Sequence, residues 1–549
     1  MIMKKIFLIT CSLSATVLTL MSGCTKKIDA AYPNPNANVV QPIEVIMPNI
    51  IANMAISNTA QGSLYGPQND GQYVGRYVQF WATNTSGNQY DQMGQTTTNS
   101  TAAAADIGGS HWGMHYYGQG QNLSKVIEWG TEQKKWDYVG VAYAIRAWSW
   151  LCLTDMHGEV ILKQAFDPNR LVFDYDQQQE VYEEVKKDCR LAIDYLSRTG
   201  DSVSSTNLAR GIQYFSYHGD VDKWKKFAYS VMARVFHRTT NKSDYKADSV
   251  IKYCNLAIND NADNAYVLFQ GVSSPTNSYY GPFRGNIGTF RQTKFIADLE
   301  SGANSAFPGV ADPRAWYIIR ENPNGTFKGI REGKGVEGLT APDQPQNFWG
   351  GLYSTTTGNN NSARYVFKDA MPWPVITAAE IQFMKSEAYY LKGFKTEALQ
   401  AYKNGISLDI DMLTSVYNTS IPAGKEITPA VKTAFLGNTA LVPADGSGLN
   451  LSMIMLQKYI AMYGYGFLET WVDLRRYHYV DLERNTTRQV YTDFAPPATT
   501  DLFANNNQKY IYRVRPRYNS EFLYNIDALS RIGALALDYH TKEQWFSQP

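Results

Sequence analysis

The chain is predicted to be mainly α-helical, a tetratricopeptide-like scaffold of helix pairs interrupted by long irregular excursions. Three observations predict this. Apolar residues recur at three-and-four spacing in several long segments, the period of a helix burying one face. Two neighbouring segments of this kind fit a helix-turn-helix unit of about 34 residues, the length of a tetratricopeptide repeat. Residues 60–122, 259–375 and 414–450 are rich in Gly, Asn, Ser, Pro and Tyr, and stretches of that length are uncommon in compact domains unless they carry function.

The scaffold is expected mainly over 134–258 and 376–480. Tyr138, Val141, Ala142, Ile145, Trp148 and Cys152 form one stripe, and Tyr182, Val185, Cys189, Ala192 and Leu196 its partner. The closer pair is Trp224, Phe227, Ala228, Val231 and Val235, followed by Ala247, Val250, Ile251, Cys254 and Ile258. A third pair opens at Thr377, a capping hydroxyl with Glu380 placed to close a capping box. Its stripes are Ile381, Met384, Ala388 and Leu391, then Ala398, Tyr402 and Ile406, and a further helix is expected around Met453–Met462. Trp148, Trp224 and Trp471 lie on apolar stripes and are read as core.

Met1–Lys5 carries two positive charges, and Ile6–Leu20 carries none. A membrane span needs about 20 apolar residues. A charged start, a shorter apolar run and small residues before a cut site describe instead a secretory signal over 1–23. Leu20-Met21-Ser22-Gly23-Cys24 resembles the bacterial lipobox, in which the cysteine receives diacylglycerol and becomes the first mature residue; Met21 departs from the usual leucine. Lipid on Cys24 is therefore expected, the alternative being a plain signal peptide that leaves Cys24 an unexplained thiol. Residues 24–38 read as a flexible tether, with one domain over 39–549.

Of the five cysteines, Cys11 leaves with the signal and Cys24 takes lipid. Cys152, Cys189 and Cys254 remain, an odd number without CxxC spacing, and are read as small core residues. Loss of Lys4 and Lys5 turns the formal charge of +1 into about −1, which gives nucleic acid no electrostatic support.

No catalytic constellation emerges, and no cofactor is expected. His111 and His115 stand four apart, but HWGMH lacks the Glu a zinc hydrolase places beside its first His. No GxSxG elbow is present, and GIREGKG at 329–335 fails as a phosphate loop. Asp174 with Asp176, and Asp409 with Asp411, do not continue into a calcium loop. A glycosidase built from two carboxylates distant in sequence stays open as the enzymatic alternative.

The composition is unusual in its rings: 38 Tyr, 23 Phe and 12 Trp. Several lie in the loops, where no stripe explains them: Tyr65, Tyr73, Trp81 and Tyr90 around Arg76; Trp112, Tyr116 and Tyr117; Tyr279 and Tyr280 beside Arg284, Asn277 and Asn286; and Phe348 with Trp349. A flat ring can lie on the C–H face of a sugar while Asn, Gln or Arg groups bond its hydroxyls. The loop-rich face is therefore the candidate ligand side. For any single ring, packing of the loop onto the scaffold is the alternative.

Four strings resemble the SusD/RagB family of nutrient-binding outer-membrane lipoproteins: Tyr143–Val160, Gly219–Arg238, MPWPVITAAEIQFMKSEAYYLKG over 371–393, and LQKYIAMYGYGFLETWVDLRRYHY over 456–479. Glu521 and Asn525, after Arg513, Arg515 and Arg517, extend the likeness, although Arg517-Tyr518-Asn519 stands where the family usually has Tyr-Pro. The resemblance implies a tetratricopeptide-like fold, capture of an oligosaccharide or, in some relatives, a peptide, and a SusC-like TonB-dependent β-barrel transporter as partner. Glu469, Asp473, Arg475 and Arg476 share one short helix and are read as solvated or scaffold-bracing charges.

Overall fold

A computed structural model describes residues 40–58, 64–84, 90–94, 108–272 and 277–549. Cys24, the signal and the tether lie outside the described residues. Residues 43–549 cluster as one compact unit.

The chain opens with α1 (Ile43–Ala52), the two-residue strands β1 (Ser57–Asn58) and β2 (Leu64–Tyr65), α2 (Pro67–Tyr77) and β3 (Trp81–Thr83). Next come α3 (Ser110–Gly113), a π-helical turn (Met114–Gln119) and α4 (Gly120–Glu132). The scaffold proper follows as α5 (Trp136–His157), α6 (Gln178–Leu196), α7 (Ser205–Gly211), α8 (Val221–Arg238) and α9 (Ala247–Leu256). Then come β4 (Ala265–Val267), β5 (Phe290–Gln292), α10 (Lys294–Ser301), α11 (Ala315–Ile318) and β6 (Trp373–Ile376). The chain closes with α12 (Ala378–Leu391), α13 (Lys395–Val416), α14 (Pro429–Leu436), α15 (Leu451–Ala461), α16 (Phe467–Arg476), a π-helical turn (Tyr518–Phe522) and α17 (Ile526–Arg531).

The helix pairs are those the stripes predict: α5 packs on α6, α8 on α9 and α12 on α13, and the pairs stack through α6 with α8 and α9 with α12. The named stripe residues of α5, α6 and α8 are buried, as are Trp148, Trp224 and Trp471. Cys152, Cys189 and Cys254 are buried free thiols. Leu391, the last residue of its expected stripe, is exposed. The capping box of α12 is half formed. Thr377 accepts from the Glu380 N–H, but the Glu380 carboxylate turns inward to Arg234 at 2.7 Å through both oxygens, because a buried guanidinium is the stronger partner.

The sheets are short antiparallel pairs: β3 with β5, Trp81 opposite Gln292, and β4 with β6, Val267 opposite Trp373. The stretches expected as loops are not devoid of helix, since α2, α10 and α14 lie within them.

Charge buried between the helix pairs locks the stack. Arg238 reaches Asp155 at 3.0 Å and Glu469 at 2.5 Å, and Arg234 bridges Glu380 and Glu469. Glu387 takes both terminal nitrogens of Arg476 at 2.7 and 3.0 Å, His237 at 2.7 Å and the Tyr477 hydroxyl at 2.6 Å. Asp473 accepts from Arg476 and pairs with Lys458, both at 2.7 Å. Burial works against the Glu469 carboxylate, yet Arg234 and Arg238 outweigh it and hold its pKa below the usual range. Of the two readings of the α16 charges, bracing is the one the burial fits: Glu469, Asp473, Arg475 and Arg476 are all buried.

Buried arginines also fasten the loops to this frame. Arg291 donates to the carbonyls of Gly288, Phe290, Leu352, Tyr353 and Thr355, and Arg515 to those of Ala534, Ala536 and Leu537. Each guanidinium supplies carbonyl groups that regular structure would otherwise have to satisfy.

Candidate functional site: the outer face of helix α2

Helix α2 is short and contains two glycines, and these permit its placement. A Cβ on Gly71 would stand 2.1 Å from the Tyr280 hydroxyl, and one on Gly75 2.4 Å from the Trp81 ring. Only glycine lets rings of this size lie directly against the helix backbone. Asp70 fixes the other end: its carboxylate accepts from the N–H groups of Ser110 and His111 at 3.0 and 2.8 Å and meets the His111 ring at 2.6 Å. His115 bonds instead to Ser149 at 2.8 Å, so the two histidines of HWGMH serve separate contacts.

With one face pressed on the core, α2 turns Asn69, Gln72 and Tyr73 outward at helical spacing, and Arg76 continues the row as a buried side chain lining a cleft. Asn69, Gln72 and Tyr73 keep part of their surface in solvent. The Asn69 amide donates to the Ser110 hydroxyl at 2.5 Å, and the Gln72 amide to Asn69 at 2.8 Å and to the Tyr279 hydroxyl at 2.9 Å. The Arg284 guanidinium lies 5.6 Å from the centre of the Tyr279 ring. Beyond Arg76 the strip enters a cleft of about 220 Å³ lined by Arg76, Tyr90, Arg331, Glu332, Lys334 and Asp501. Arg76 binds Glu332 through two nitrogens at 2.9 and 2.5 Å and sits 5.5 Å from the Tyr90 ring centre. At the opposite end Tyr65 and Tyr117 stand 6.1 Å apart with an interplanar angle of 31°, and Arg517 lies 5.2 Å over Tyr117.

Burial raises the pKa of Tyr73 and of Tyr90, and Tyr279 is pushed up to about 12 for the same reason. At neutral pH these phenols stay protonated and can donate hydrogen bonds. Asp91, whose carboxyl burial pushes up to about 6, accepts from the Phe503 N–H at 2.6 Å and the Asn506 amide at 2.9 Å, tying the Tyr90 segment to the far wall.

The residues singled out from sequence divide by depth. Tyr117 is 49 % exposed, and Tyr65 and Tyr116 are half-buried. Arg76, Tyr90 and Tyr279 are largely buried, the first two lining the cleft and Tyr279 reached by Gln72. Trp81, Tyr280, Phe348 and Trp349 lie beneath: Trp81 packs edge-on to Tyr280 and Phe348, and the Trp349 ring N–H donates to the Tyr280 carbonyl at 2.8 Å. Trp112 is enclosed by Tyr116, His157 and Tyr175. A ring with no solvent-facing surface cannot stack on a ligand unless the loops above it move; Trp81 and Tyr280, backed by Phe348 and Trp349, form the floor of the strip, and Trp112 is core. Asn69, Gln72 and Glu332 were not singled out. The first two lie on a helix that its own glycines, Gly71 and Gly75, disguise as a loop in the sequence, so their common face shows only in the structure.

Among the described residues no helix is long and apolar enough to cross a membrane. Comparison with curated proteins finds no match. Solved structures share the fold. A SusD/RagB family protein of Bacteroides thetaiotaomicron is 20% identical over 92% of this chain and 99% of its own, with a TM-score of 0.64. A chitin-binding SusD homolog of Flavobacterium johnsoniae is 16% identical over 92% and 98%, also at 0.64, and a SusD homolog of Bacteroides fragilis 16% over 92% and 100%, at 0.63. The model of the SusD-like family, described as starch-binding and associating with the outer membrane, matches residues 35–498, and the chain belongs to that family.

Proposed function

We propose that the protein is a surface lipoprotein, anchored through Cys24 and a tether over 24–38, that captures an oligosaccharide along the α2 strip and passes it unaltered to a TonB-dependent β-barrel transporter of the outer membrane. The observation that carries this reading is the outer face of α2, where amides, phenols and an ion pair alternate with rings at both ends. Amides and protonated phenols bond sugar hydroxyls, and Tyr65 and Tyr117 offer flat apolar surface. The helix is roughly 16 Å long, enough for several sugar units. The cleft at its end falls below the roughly 300–1,000 Å³ of an enclosed ligand pocket, which suits a chain lying across an open surface. The chitin-binding relative supports a glycan over a peptide.

The hydrolase alternative needs two available carboxyl groups facing the ligand. Those of the cleft are engaged: Glu332 by Arg76 and Thr83, and Asp501 by Lys334 at 2.8 Å. Calorimetry of the purified protein against panels of neutral oligosaccharides and of peptides tests the reading. A neutral glycan is expected to bind with modest affinity, without new reducing ends on prolonged incubation. Binding only among the peptides, or release of reducing ends, would overturn it.

A further inference from the structure

A second cleft, of about 380 Å³, opens on the helical scaffold and shares no lining residue with the cleft at the end of α2. It follows α6, whose Gln179, Tyr182, Glu183, Lys186 and Arg190 recur at helical spacing, and is closed by the end of α8, the turn before α9 and the C-terminal Trp545. From Gln179 to Arg190 the helix rises roughly 16 Å, room for a short chain of linked units. The aromatic floor is held still. Phe236 stacks on Tyr253 at 5.3 Å with 15° between the ring planes. Trp545, half-buried, packs against the Lys242 ammonium, 4.4 Å from its ring centre, and edge-on to Tyr182 at 6.0 Å. Tyr182 donates to Asp155 at 2.7 Å, which braces it on the charges buried in the stack. Beside Trp545, the Gln544 side chain accepts from Gln178 at 2.9 Å and donates to the Asp155 carbonyl at 3.1 Å, fixing the C-terminal segment. A surface preformed in this way loses little freedom on binding.

The charges of the rim do not cancel. Lys186 pairs with Glu183 at 2.5 Å and lies 5.2 Å from the Phe236 ring centre. Asp244 is near enough to Lys242 to favour its charged form. Arg190 and Lys246 are exposed, and among the described residues neither forms an ion pair with a carboxylate. We infer that this cleft is a second ligand site, separate from the α2 strip, for an acidic oligosaccharide whose sugar units carry carboxylates. Arg190 and Lys246 take the carboxylates, the guanidinium through two parallel hydrogen bonds. Phe236 and Trp545 offer the C–H face of a sugar a flat surface, and Gln179, Thr239 and Asp244 bond its hydroxyls. Other occupants fit less well. Beyond its rings and Val235 the lining is polar and gives an acyl chain no apolar wall. A phosphate-rich polymer meets Glu183 and Asp244 among the cations, and a neutral glycan leaves Arg190 and Lys246 without a partner.

Calorimetry of the purified protein with a galacturonate trimer, and with the neutral galactose trimer of the same length, tests the site. The acidic trimer is expected to bind the more tightly, and added salt should weaken it alone, because only its contacts are screened. The double variant R190A/K246A should lose about fivefold in affinity for the acidic trimer, the worth of two partly solvated ion pairs. Its melting temperature, and its affinity for a glycan held along α2, should not change. Full affinity of the double variant for the acidic trimer would overturn the site, as would loss of that affinity in Gln72→Ala instead, which places the trimer on the α2 strip. Equal binding of acetate alone would reduce the cleft to a bare anion site and overturn it as well. Each of these failures leaves capture along α2 standing.

Discussion

Glu387→Ala is expected to destabilise the protein by about 3–5 kcal/mol, the cost of breaking a buried ion pair by deleting one side of it. Four donors converge on this carboxylate from Arg476, His237 and Tyr477, all buried or nearly so. Alanine leaves them without an acceptor in a region water does not reach, and Asp473, already shared with Lys458, cannot serve all of them. The effect should spread beyond one helix, because α8, α12 and α16 meet at this point. Urea unfolding reads it as a lower midpoint at unchanged slope. Glu387→Gln keeps an acceptor oxygen and should lose less. A loss below about 1 kcal/mol for the alanine variant would mean that the charges are solvated, the other reading their pattern allowed.

Trp81→Ala should cost about 3–5 kcal/mol as well, through cavity formation. The indole has no exposed surface and packs against Phe80, Tyr280, Phe290, Phe348 and Phe367. It also supports the close approach of Gly75, so its loss leaves α2 without a floor. Affinity for ligand should fall as a consequence of that loosening and recover at low temperature, where the variant stays folded. A melting temperature within a degree of the parent, with binding abolished, would place Trp81 in ligand contact.

The scaffold was readable because helix pairs bury continuous apolar stripes, and a stripe such as Tyr138 to Cys152 leaves a periodic trace in sequence. The strip was less so. Gly71 and Gly75 on the inner face of α2, with Asn69 and Gln72 outside, give the composition of a loop, and no stripe betrays the helix. The rings of the loops were visible, but their depth was not: Trp81 and Trp349 become floor, and Tyr117 surface, through contacts between segments distant in sequence. Glu380 shows the same limit. Its spacing from Thr377 fits a capping box, and only the tertiary fold brings Arg234 near enough to take its carboxylate.

Calorimetric affinity for the best-binding glycan, measured for Gln72→Ala, Tyr73→Ala and Tyr117→Ala together with each variant's melting temperature, tests the central claim most directly. These side chains are partly exposed and contribute little to the core, so the melting temperatures should stay within about 2 °C of the parent, the small effect expected of surface substitutions. Affinity should fall about tenfold or more for at least one ring, since a few residues dominate binding surfaces of this kind. Full affinity in all three variants, with the fold intact, would show that the ligand is not held along α2.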